Sequence, residues 1–460
     1  MKKLLKKLIP DWTLSIYHWK LSLIGAVVFG FPSRKLKVIG ITGTKGKSTV
    51  VMLAGRVLQE TAPSTRSARS GQVGWVSSLT INDGKNEVMN PYHMTMPGRF
   101  FIQKSLAQMV KNGCEYALVE VTSEGIKQHR HRFIKWTGAV FTNLAPEHLE
   151  AHGGFENYRK AKEKLFAATA KNKNSFGVYN LDDENVEEFL KYAIDKKYGY
   201  GLSLRGAAAV SGGDAAISRD CFATLAMTDI KLSASGSEFT INGVNFKTKL
   251  LGEFNVYNCA AAATVGQVCG VSLEKASQAL SQIQSIPGRL ETINEGQNFT
   301  VVVDLAHTPD SYEKVFKLFK GLKNSPHPNP LLEKERGKAS KIIAIFGSAG
   351  GGRDKWKRPE LGRIASENAD ILIICNEDPY DENPQEICQQ IAAGCKKTQP
   401  EIILNRREAL AKGLSLAQAG DIVLFLGKGT EQTYVEGPNR IKWDDREVAR
   451  EELKKLLFKK

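Results

Sequence analysis

The fold is decided by the stretch KVIGITGTKGKSTV, which occupies residues 37–50. An apolar run typical of a β-strand enters a glycine-rich turn, and the run from Val50 to Ala54 is typical of a helix. A strand that turns directly into a helix directs unpaired backbone N–H groups, and the positive end of the helix dipole, at the turn. The stretch therefore predicts a binding site for phosphate groups.

The turn also supplies the side chains that nucleotide chemistry needs. Lys47 is placed to reach β- and γ-phosphates, and the Ser48 hydroxyl is placed to bind Mg²⁺. The general phosphate-loop pattern has a glycine five residues before Gly46, where this chain has Ile41. The residues present are Gly43, Thr44, Lys45, Gly46, Lys47, Ser48 and Thr49. Because hydroxyl groups are concentrated in this one turn, an ATP site is favoured over a glycine-rich turn without a ligand.

Composition and charge limit the classes of partner. The 460 residues are enough for two to four domains, and 42% hydrophobic with 25% charged residues is ordinary for a globular protein. The net charge of +15 suggests an anionic partner. The lysines and arginines are dispersed, however, with clusters only at the two ends and no basic–aromatic stripe. We therefore expect small anionic substrates and no nucleic acid.

Cysteine usage and the N-terminus bear on location. The seven cysteines form no CxxC pair, which suits reduced thiols in the cytoplasm. The apolar run over residues 21–31 is about half of the ~20 residues that a membrane span needs. Four lysines precede it within the first seven residues. Two interpretations stay open: a basic interfacial helix in weak contact with a membrane surface, or a helix packed on the first domain.

The order of predicted elements indicates an α/β protein. Strands alternate with helices, and this alternation is typical of parallel sheets whose ligands bind at the carboxyl ends of the strands. We expect a short helical N-terminal segment at 1–36, a central P-loop domain with a doubly wound parallel sheet at 37–286, and a C-terminal Rossmann-like α/β domain at 287–460. Residues 205–219 predict a loop. The three prolines and alternating charges of residues 324–338 predict a disordered insertion.

Nine segments, of which the phosphate loop is the first, carry a resemblance to a known family through their order along the chain. They lie at residues 43–48, 120–123, 141–153, 157–166, 252–258, 288–289, 304–309, 353–359 and 427–431. Together they resemble the Mur ligase family, and within it the members that add the third residue of the muramoyl peptide. The resemblance implies an ATP-dependent amide ligase of peptidoglycan precursor synthesis. Its substrates would be a muramoyl peptide and an amino acid, with ATP and Mg²⁺ as cofactors and an acyl phosphate as the intermediate.

The resemblance also implies the catalytic groups. Glu120 follows a predicted strand and offers a hard oxygen ligand for Mg²⁺, and His148 is implied as a second ligand. Lys162 corresponds to the lysine that this family carbamylates, although Lys160 and Lys164 flank it and the residues alone leave the choice open. The catalytic set is Lys47, Glu120, His148 and Lys162, and the metal ligands are Ser48, Glu120, His148 and carbamylated Lys162.

Nucleotide contacts are implied in three other segments. Asn255 and Asn258, at the entry to a helix, correspond to the contacts with the base. Asp304 follows a buried strand, where an acid can accept the ribose hydroxyls. Arg289 corresponds to the arginine that reaches the γ-phosphate, and His307 lies near the nucleotide without an assigned role.

Substrate recognition is where the chain departs from its relatives. The implied substrate contacts are Thr95, Thr122, Ser123, Gln128, Arg130, Arg353, Arg358, Asp378, Gly427 and Glu431. Glu124 stands in place of the usual histidine, and Thr430 likewise replaces a histidine. Tyr380 stands where the members that add diaminopimelate carry an arginine. A tyrosine lacks the charge to hold a distal carboxylate, so lysine or another amino acid is favoured over diaminopimelate.

Only about 40 residues precede the phosphate loop, whereas members that bind UDP place a domain of roughly 90 residues there. We expect a shortened uridine-binding part and a donor that is held differently. The alternatives are a ligase of the folylpolyglutamate or poly-γ-glutamate type, a ligase for a lipid-linked muramoyl donor, and a nucleotide-binding regulator without turnover. The presence of Lys47, Glu120, His148 and Lys162 disfavours the regulator. The sequence does not decide the oligomeric state.

Overall fold

The structure is a computed structural model that describes residues 11–61, 73–92, 94–147, 152–202, 222–233, 235–323, 340–352 and 354–458. The predicted loop at 205–219 and insertion at 324–338 lie outside these ranges, as do His148 and Arg353. The chain divides into two compact units. The first comprises residues 1–231, 237–248 and 253–283, and the second comprises 232–236, 249–252 and 284–460.

The first unit contains eleven strands and eight α-helices among the described residues. Its helices are α1 (Asp11–Val28), α2 (Lys47–Leu58), α3 (Arg99–Lys111), α4 (Ser123–Lys127), α5 (Phe155–Thr169), α6 (Glu187–Leu190), α7 (Glu253–Val268) and α8 (Leu273–Ser281). Its strands are β1 (Lys37–Thr42), β2 (Val73–Val76), β3 (Thr80–Asn82), β4 (Glu87–Met89), β5 (Tyr116–Glu120), β6 (Trp136–Phe141), β7 (Phe176–Asn180), β8 (Lys196–Gly201), β9 (Phe222–Ser233), β10 (Gly236–Ile241) and β11 (Val244–Thr248).

These strands form one sheet in the order β11-β10-β9-β8-β7-β6-β1-β5-β2-β3-β4. The strands from β9 to β2 pair in parallel, and the edge pairs β10–β11, β2–β3 and β3–β4 are antiparallel. The strand β1 lies between β5 and β6, and its register sets Ile41 opposite Glu120 and Thr42 opposite Phe141. The carboxyl ends of three neighbouring strands therefore meet at the phosphate loop.

Helices cover both faces of this sheet. Alternate strand residues such as Val38, Val119 and Phe141 share a core with α3 and α5. On α2, Gly55 lies against the Trp75 ring, and α2 packs along α7. Strands whose side chains are buried on both faces of the sheet are typical of a parallel sheet that lies between two layers of helices. The predicted doubly wound class is confirmed.

The second unit has a six-stranded sheet in the order β12-β13-β17-β14-β15-β16, parallel except for the β12–β13 pair. Its strands are β12 (Glu291–Ile293), β13 (Thr300–Asp304), β14 (Ile342–Phe346), β15 (Ile371–Ile374), β16 (Pro400–Ile402) and β17 (Ile422–Leu426), and a separate hairpin joins β18 (Thr433–Glu436) to β19 (Asn439–Lys442). Its helices are α9 (Pro309–Lys323), α10 (Lys357–Asn368), α11 (Pro384–Ala392), α12 (Arg406–Leu416) and α13 (Asp445–Phe458). The predicted Rossmann-like α/β class is confirmed here too.

The N-terminal helix α1 begins ten residues before the apolar run at 21–31 and ends within that run, at Val28. It spans eighteen residues and packs on α3. Across the described ranges, no helix has both the length and the apolar content that crossing a bilayer requires.

Candidate active site

The phosphate loop links β1 to α2, and two of its glycines have no substitute. Gly46 caps α2 with a φ of 80°, and a Cβ there would lie 2.4 Å from Asn258 Oδ1. A Cβ on Gly43 would lie 2.0 Å from Thr142 Oγ1. The first turn of a helix has N–H groups without intrahelical acceptors, and these suit phosphate oxygens. The narrow, side-chain-free turn therefore fits the phosphates of a nucleotide.

Lys162, on α5, is buried directly beside this loop. Its side chain is 2% exposed, and its Nζ donates to the Gly43 carbonyl at 2.6 Å. The Nζ also lies 4.5 Å from the centroid of the Tyr158 ring. Burial, and then the charge of Lys47, holds the pKa of Lys162 well below its usual value, with Glu147 and Glu120 opposing the shift. A lysine in this environment tends to be a neutral, nucleophilic amine.

The two lysines that flank Lys162 have different surroundings. Lys160 and Lys164 are both exposed. Residues 160 and 164 lie on one face of a helix, and residue 162 is about 200° away from each. The structure therefore distinguishes Lys162 from Lys160 and Lys164, a choice that the sequence alone left open.

Two predicted magnesium ligands are linked through Ser78. The Ser48 Oγ lies 2.7 Å from the Ser78 Oγ, and the Ser78 backbone N–H donates to Glu120 Oε2 at 2.7 Å. Ser48 and Glu120 are buried. Within the described ranges, no three His, Cys, Asp or Glu side chains form a group that could hold a metal. Hydroxyl and carboxylate oxygens are the donors that Mg²⁺ prefers, and it usually takes its other ligands from phosphate and water, so this pair fits a nucleotide-bound Mg²⁺.

The remaining loop side chains are held by the protein itself. Lys47 Nζ donates to the Thr44 carbonyl at 2.6 Å, and Lys45 Nζ pairs with Glu147 at 2.8 Å. The Thr44 hydroxyl lies 3.1 Å from the Tyr158 hydroxyl. Lys45 and Lys47 are therefore both held within the phosphate loop, and the Tyr158 hydroxyl connects that loop to α5.

Asn255 and Asn258 lie at the same loop, because α7 packs along α2. Both are buried, and Asn258 Nδ2 donates to Asn255 Oδ1 at 3.0 Å. The contact between Asn258 and Gly46 brings these two amides to the start of α2. The structure thus brings together residues that are more than 200 positions apart in the sequence.

Two arginines lie close together, Arg99 at the start of α3 and Arg130 shortly after α4. Arg130, which is 8% exposed, donates through Nη1 to the Met96 carbonyl and through Nη2 to Gln128 Oε1 at 2.7 Å. Arg99 Nη2 also approaches Gln128 Oε1, at 3.4 Å. The Nε atoms of Arg99 and Arg130 are buried without a hydrogen-bond partner. Burial lowers the pKa of both groups, and Arg99 adds to the effect on Arg130.

Two close guanidinium groups with orphaned N–H donors favour an anionic ligand. Arg130 was predicted from the sequence as a substrate contact, and Arg99 was not. The available signal was the position of Arg99 directly after Pro97 and Gly98, at the first residue of a helix.

The other residues that are predicted to contact the muramoyl peptide surround this arginine pair. Thr122 caps α4, its Oγ1 accepting from the Gly125 N–H at 3.1 Å, and Ser123 is buried. A Cβ on Gly125 would lie 2.4 Å from Met96 Sδ, so the loop that carries the half-buried Thr95 packs closely on α4. Glu124 Oε1 accepts from Gln128 Nε2 at 2.6 Å.

In the second unit, Asp304 fixes the turn that carries Arg289. Its Oδ2 accepts from the Leu290 N–H at 2.8 Å and its Oδ1 from the Ala306 N–H at 2.6 Å. Arg289 is half-buried. His307 Nδ1 lies 2.7 Å from the Leu305 carbonyl. These three predicted nucleotide residues therefore lie around the carboxyl end of β13.

The predicted amino-acid contacts meet at a buried lysine. Lys428 Nζ contacts both Asp378 oxygens at 2.9 and 3.0 Å and Glu431 Oε2 at 2.7 Å. Burial alone would lower the pKa of Lys428, but Glu431 and Asp378 outweigh it and raise the pKa. Asp378 Oδ1 also accepts from the Val435 N–H at 2.8 Å. Asp378 is thus held by the protein, whereas Glu431 retains a third of its side-chain surface.

Glu377 is a further acid at this site, and no role was assigned to it from the sequence. It is buried, its Oε2 has no hydrogen-bond partner, and a Cβ on Gly427 would lie 2.3 Å from that oxygen. Burial raises its pKa despite the nearby Arg406 and Lys428. Its position directly after a buried strand was the signal available.

Arg358, by contrast, is held inside the protein. It donates from Nη1 to Gln390 Oε1 at 2.8 Å and pairs with Glu382 at 3.1 Å. Its Nε is buried without a partner.

A phosphate loop at a parallel sheet, a buried lysine beside it and oxygen donors for Mg²⁺ define a class of protein, the enzymes that use ATP. Comparison with known proteins narrows this class. Residues 41–266 match the Mur ligase middle domain, and residues 288–429 match the Mur ligase, glutamate ligase domain. The chain belongs to the Mur ligase family. It is therefore an ATP-dependent acid–amino-acid ligase that uses Mg²⁺ and acts on small molecules, and the resemblance drawn from the nine segments is confirmed.

Individual relatives agree with this assignment. The UDP-N-acetylmuramyl-tripeptide synthetase of Borreliella afzelii is 36% identical over 434 residues, which are 92% of this chain and 78% of that protein. A solved UDP-N-acetylmuramoyl-L-alanyl-D-glutamate–2,6-diaminopimelate ligase is 26% identical with a TM-score of 0.58, covering 92% of this chain and 79% of that one. The MurF ligase of Thermotoga maritima in complex with ADP shares the fold at 18% identity and a TM-score of 0.58, covering 98% and 83%.

Proposed function

We propose that this ligase adds an amino acid to UDP-N-acetylmuramoyl-L-alanyl-D-glutamate in peptidoglycan precursor synthesis. The observation that carries the proposal is the arginine pair, Arg99 and Arg130, which share Gln128 Oε1 and have buried Nε donors without a partner. The muramoyl-tripeptide synthetase at 36% identity supports the same donor. Glu120 ends β5 and Thr122 caps α4, so a single residue of chain, Val121, separates the proposed metal ligand from the proposed donor contacts.

The chemistry follows from the groups at the loop. A donor carboxylate oxygen attacks the γ-phosphorus of ATP, the bond from that phosphorus to the β-phosphate oxygen breaks, and ADP leaves. The amine of the amino acid then attacks the acyl carbon, the phosphate departs with the donor oxygen, and the amine loses a proton. Lys47 stabilises the charge on the transferring group. Ser48 and Glu120, with His148 as a further proposed ligand, would hold Mg²⁺, which would offset the phosphate charges.

We propose that Lys162 is carbamylated. Its buried, neutral amine can attack carbon dioxide and lose a proton, which turns a cationic side chain into an anionic one. Lys47 and Lys45 both act on the Lys162 site and disfavour a third positive charge there. A carbamate would remove this repulsion and add an oxygen ligand near Ser48 and Glu120.

The other predicted contacts remain proposals. Asn255 and Asn258 would contact the base, Asp304 the ribose and Arg289 the γ-phosphate, with His307 close by. Thr95, Thr122, Ser123 and Gln128 would contact the muramoyl peptide, and Arg353, Arg358 and Gly427 the amino acid.

For the amino acid, we propose L-lysine or another residue without a distal carboxylate. Tyr380 has no charge to offer such a carboxylate, and the adjacent Asp378 is engaged by Lys428. The acids Glu431 and Glu377 favour an ammonium group.

We place the reaction in the cytoplasm. The N-terminus is proposed to touch the membrane surface weakly through α1, while the substrates remain small molecules.

A substrate panel tests the proposal. ADP release would be measured with UDP-N-acetylmuramoyl-L-alanyl-D-glutamate, a lipid-linked muramoyl dipeptide and a folate, each combined with L-lysine, L-ornithine and meso-diaminopimelate. We expect turnover with the UDP-linked donor and a kcat/KM at least about tenfold higher for L-lysine than for meso-diaminopimelate, because a carboxylate without its arginine loses a charge-assisted contact.

Stimulation by the folate alone would replace the donor assignment with the folylpolyglutamate alternative. Equal use of meso-diaminopimelate would contradict the role given to Tyr380.

A further inference from the structure

Helix α1 turns most of its large apolar side chains away from the protein. Its outer face is exposed, and consists of Trp12, Thr13, Ile16, Tyr17, Trp19, Lys20, Ile24, Val27 and Val28. Its inner face carries small or polar side chains, at Ser15, His18, Ser22, Gly25 and Ala26, while Leu14, Leu21 and Leu23 are half-buried. A helix on the surface of a globular protein normally turns its apolar side toward the core.

The inner face makes specific contacts with the first unit. Ser15 Oγ lies 2.7 Å from His129 Nε2, and Ser22 Oγ donates to the His129 carbonyl at 2.9 Å. The backbone of α3 passes close to Gly25, where a Cβ would lie 3.6 Å from the Phe100 Cα. The orientation of α1 is therefore fixed by hydrogen bonds and close packing. Most of the apolar outer face is left to solvent, and the Trp19 ring at its border meets the ring of Phe133, with the two centroids 5.5 Å apart.

The outer face is the main apolar surface of the described chain. Seven of the seventeen large hydrophobic side chains exposed among the described residues lie on this one helix, and Trp12 is 66% exposed. Contiguous patches of this kind mark binding sites for a membrane or another protein.

Charge distinguishes between these occupants. Residues 1–36 contain seven lysines and arginines, including Lys20 on the outer face, and a single acid, Asp11. Two copies of so basic a segment would repel each other in a symmetric dimer, whereas anionic headgroups would attract each of them. Tryptophan and tyrosine rings also favour the headgroup region. An α-helix of eighteen residues is about 27 Å long and can lie flat in that region.

We propose that α1 lies flat in the headgroup region of an anionic bilayer, with its outer face buried and its inner face holding the enzyme. The inference develops the proposed membrane contact and is independent of the ligase chemistry. Because His18 on the inner face contacts Arg99, the arginine pair lies about one helix diameter, ~10 Å, from the bilayer surface. A donor bound there would be taken up at the membrane.

Vesicle flotation of the full chain tests this inference. The vesicles would be phosphatidylcholine alone, and phosphatidylcholine with about one-third phosphatidylglycerol. We expect flotation with the anionic vesicles, weakening as salt is raised, and little with the neutral ones. Flotation needs no turnover, so its outcome is separate from that of the substrate panel.

Two variants make the test specific. The double variant Trp12→Ser/Ile24→Ser is expected to lose about tenfold or more in partitioning onto anionic vesicles, since two large apolar side chains no longer enter the bilayer. Its circular dichroism and ATP hydrolysis should match the parent. The control is Trp356→Ser, which removes a tryptophan of similar exposure, 61%, from the second unit and should float like the parent.

Three results would overturn the proposal. They are no flotation with anionic vesicles, equal flotation of the double variant and the parent, and a homodimer that the double variant abolishes without any vesicle binding.

Discussion

The Lys162→Ala enzyme is expected to form the amide about 10²–10³-fold more slowly than the parent, a loss typical of removing one preorganised charged group from a transition state. Lys162 is buried beside the phosphate loop with a strongly lowered pKa. These surroundings favour the neutral amine that carbamylation requires. The measurement is amide formation under saturating ATP, donor and amino acid, with circular dichroism to verify the fold.

Two controls separate a carbamate from a structural role. Lys160→Ala, on the exposed face of the same helix, is expected to keep a rate close to that of the parent. Acetate added to the Lys162→Ala enzyme should restore part of the rate, because it supplies a carboxylate to the vacated space, and methylammonium should not. Rescue by methylammonium, or near-parental activity without rescue, would show that the required group is not an anion at this position.

Lys47→Ala is the second large effect, with an expected fall of at least about 10³-fold in kcat. Lys47 is the first residue of α2, and its Nζ already bonds the Thr44 carbonyl within the loop. The neighbouring Lys45→Ala is the matched control. Lys45 is partly exposed and paired with Glu147, so we expect a loss below about tenfold. Full turnover by Lys47→Ala would contradict the assignment of the phosphoryl-transfer site to this loop.

The apolar strands can be predicted well from the sequence. The apolar runs at 300–304, 342–346 and 371–374 predict strands, and they form β13, β14 and β15. Short apolar runs between polar clusters specify buried parallel strands almost without tertiary information. Helix ends are less certain: the pattern over 384–395 predicts a helix to its last residue, whereas α11 ends at Ala392.

Helix α1 shows how a pattern of apolar residues can mispredict which face of a helix is buried. The apolar run at 21–31 indicated a helix, but α1 begins at Asp11 and directs its apolar face outward. Pattern analysis assumes that apolar residues face the core. Which face is buried here depends on His129 and Phe100, whose approach to α1 is a property of the tertiary structure.

In the site, the sequence located the loop but not every group that surrounds it. Arg99 and Glu377 were missed because their significance lies in buried atoms without partners, which no local pattern reports. Lys162 could have been chosen from the sequence, because it shares a helical face with the apolar Tyr158 and Leu165.

An oxygen-transfer measurement tests the central claim most directly. The reacting carboxylate of the donor would be labelled with ¹⁸O, and the phosphate released during amide formation would be analysed by mass spectrometry. Activation through an acyl phosphate predicts a single ¹⁸O atom in each phosphate, because the donor oxygen leaves with the phosphoryl group when the amine attacks. Unlabelled phosphate accompanying amide formation would show that the γ-phosphoryl group never reaches the carboxylate, and would contradict the mechanism proposed for this enzyme.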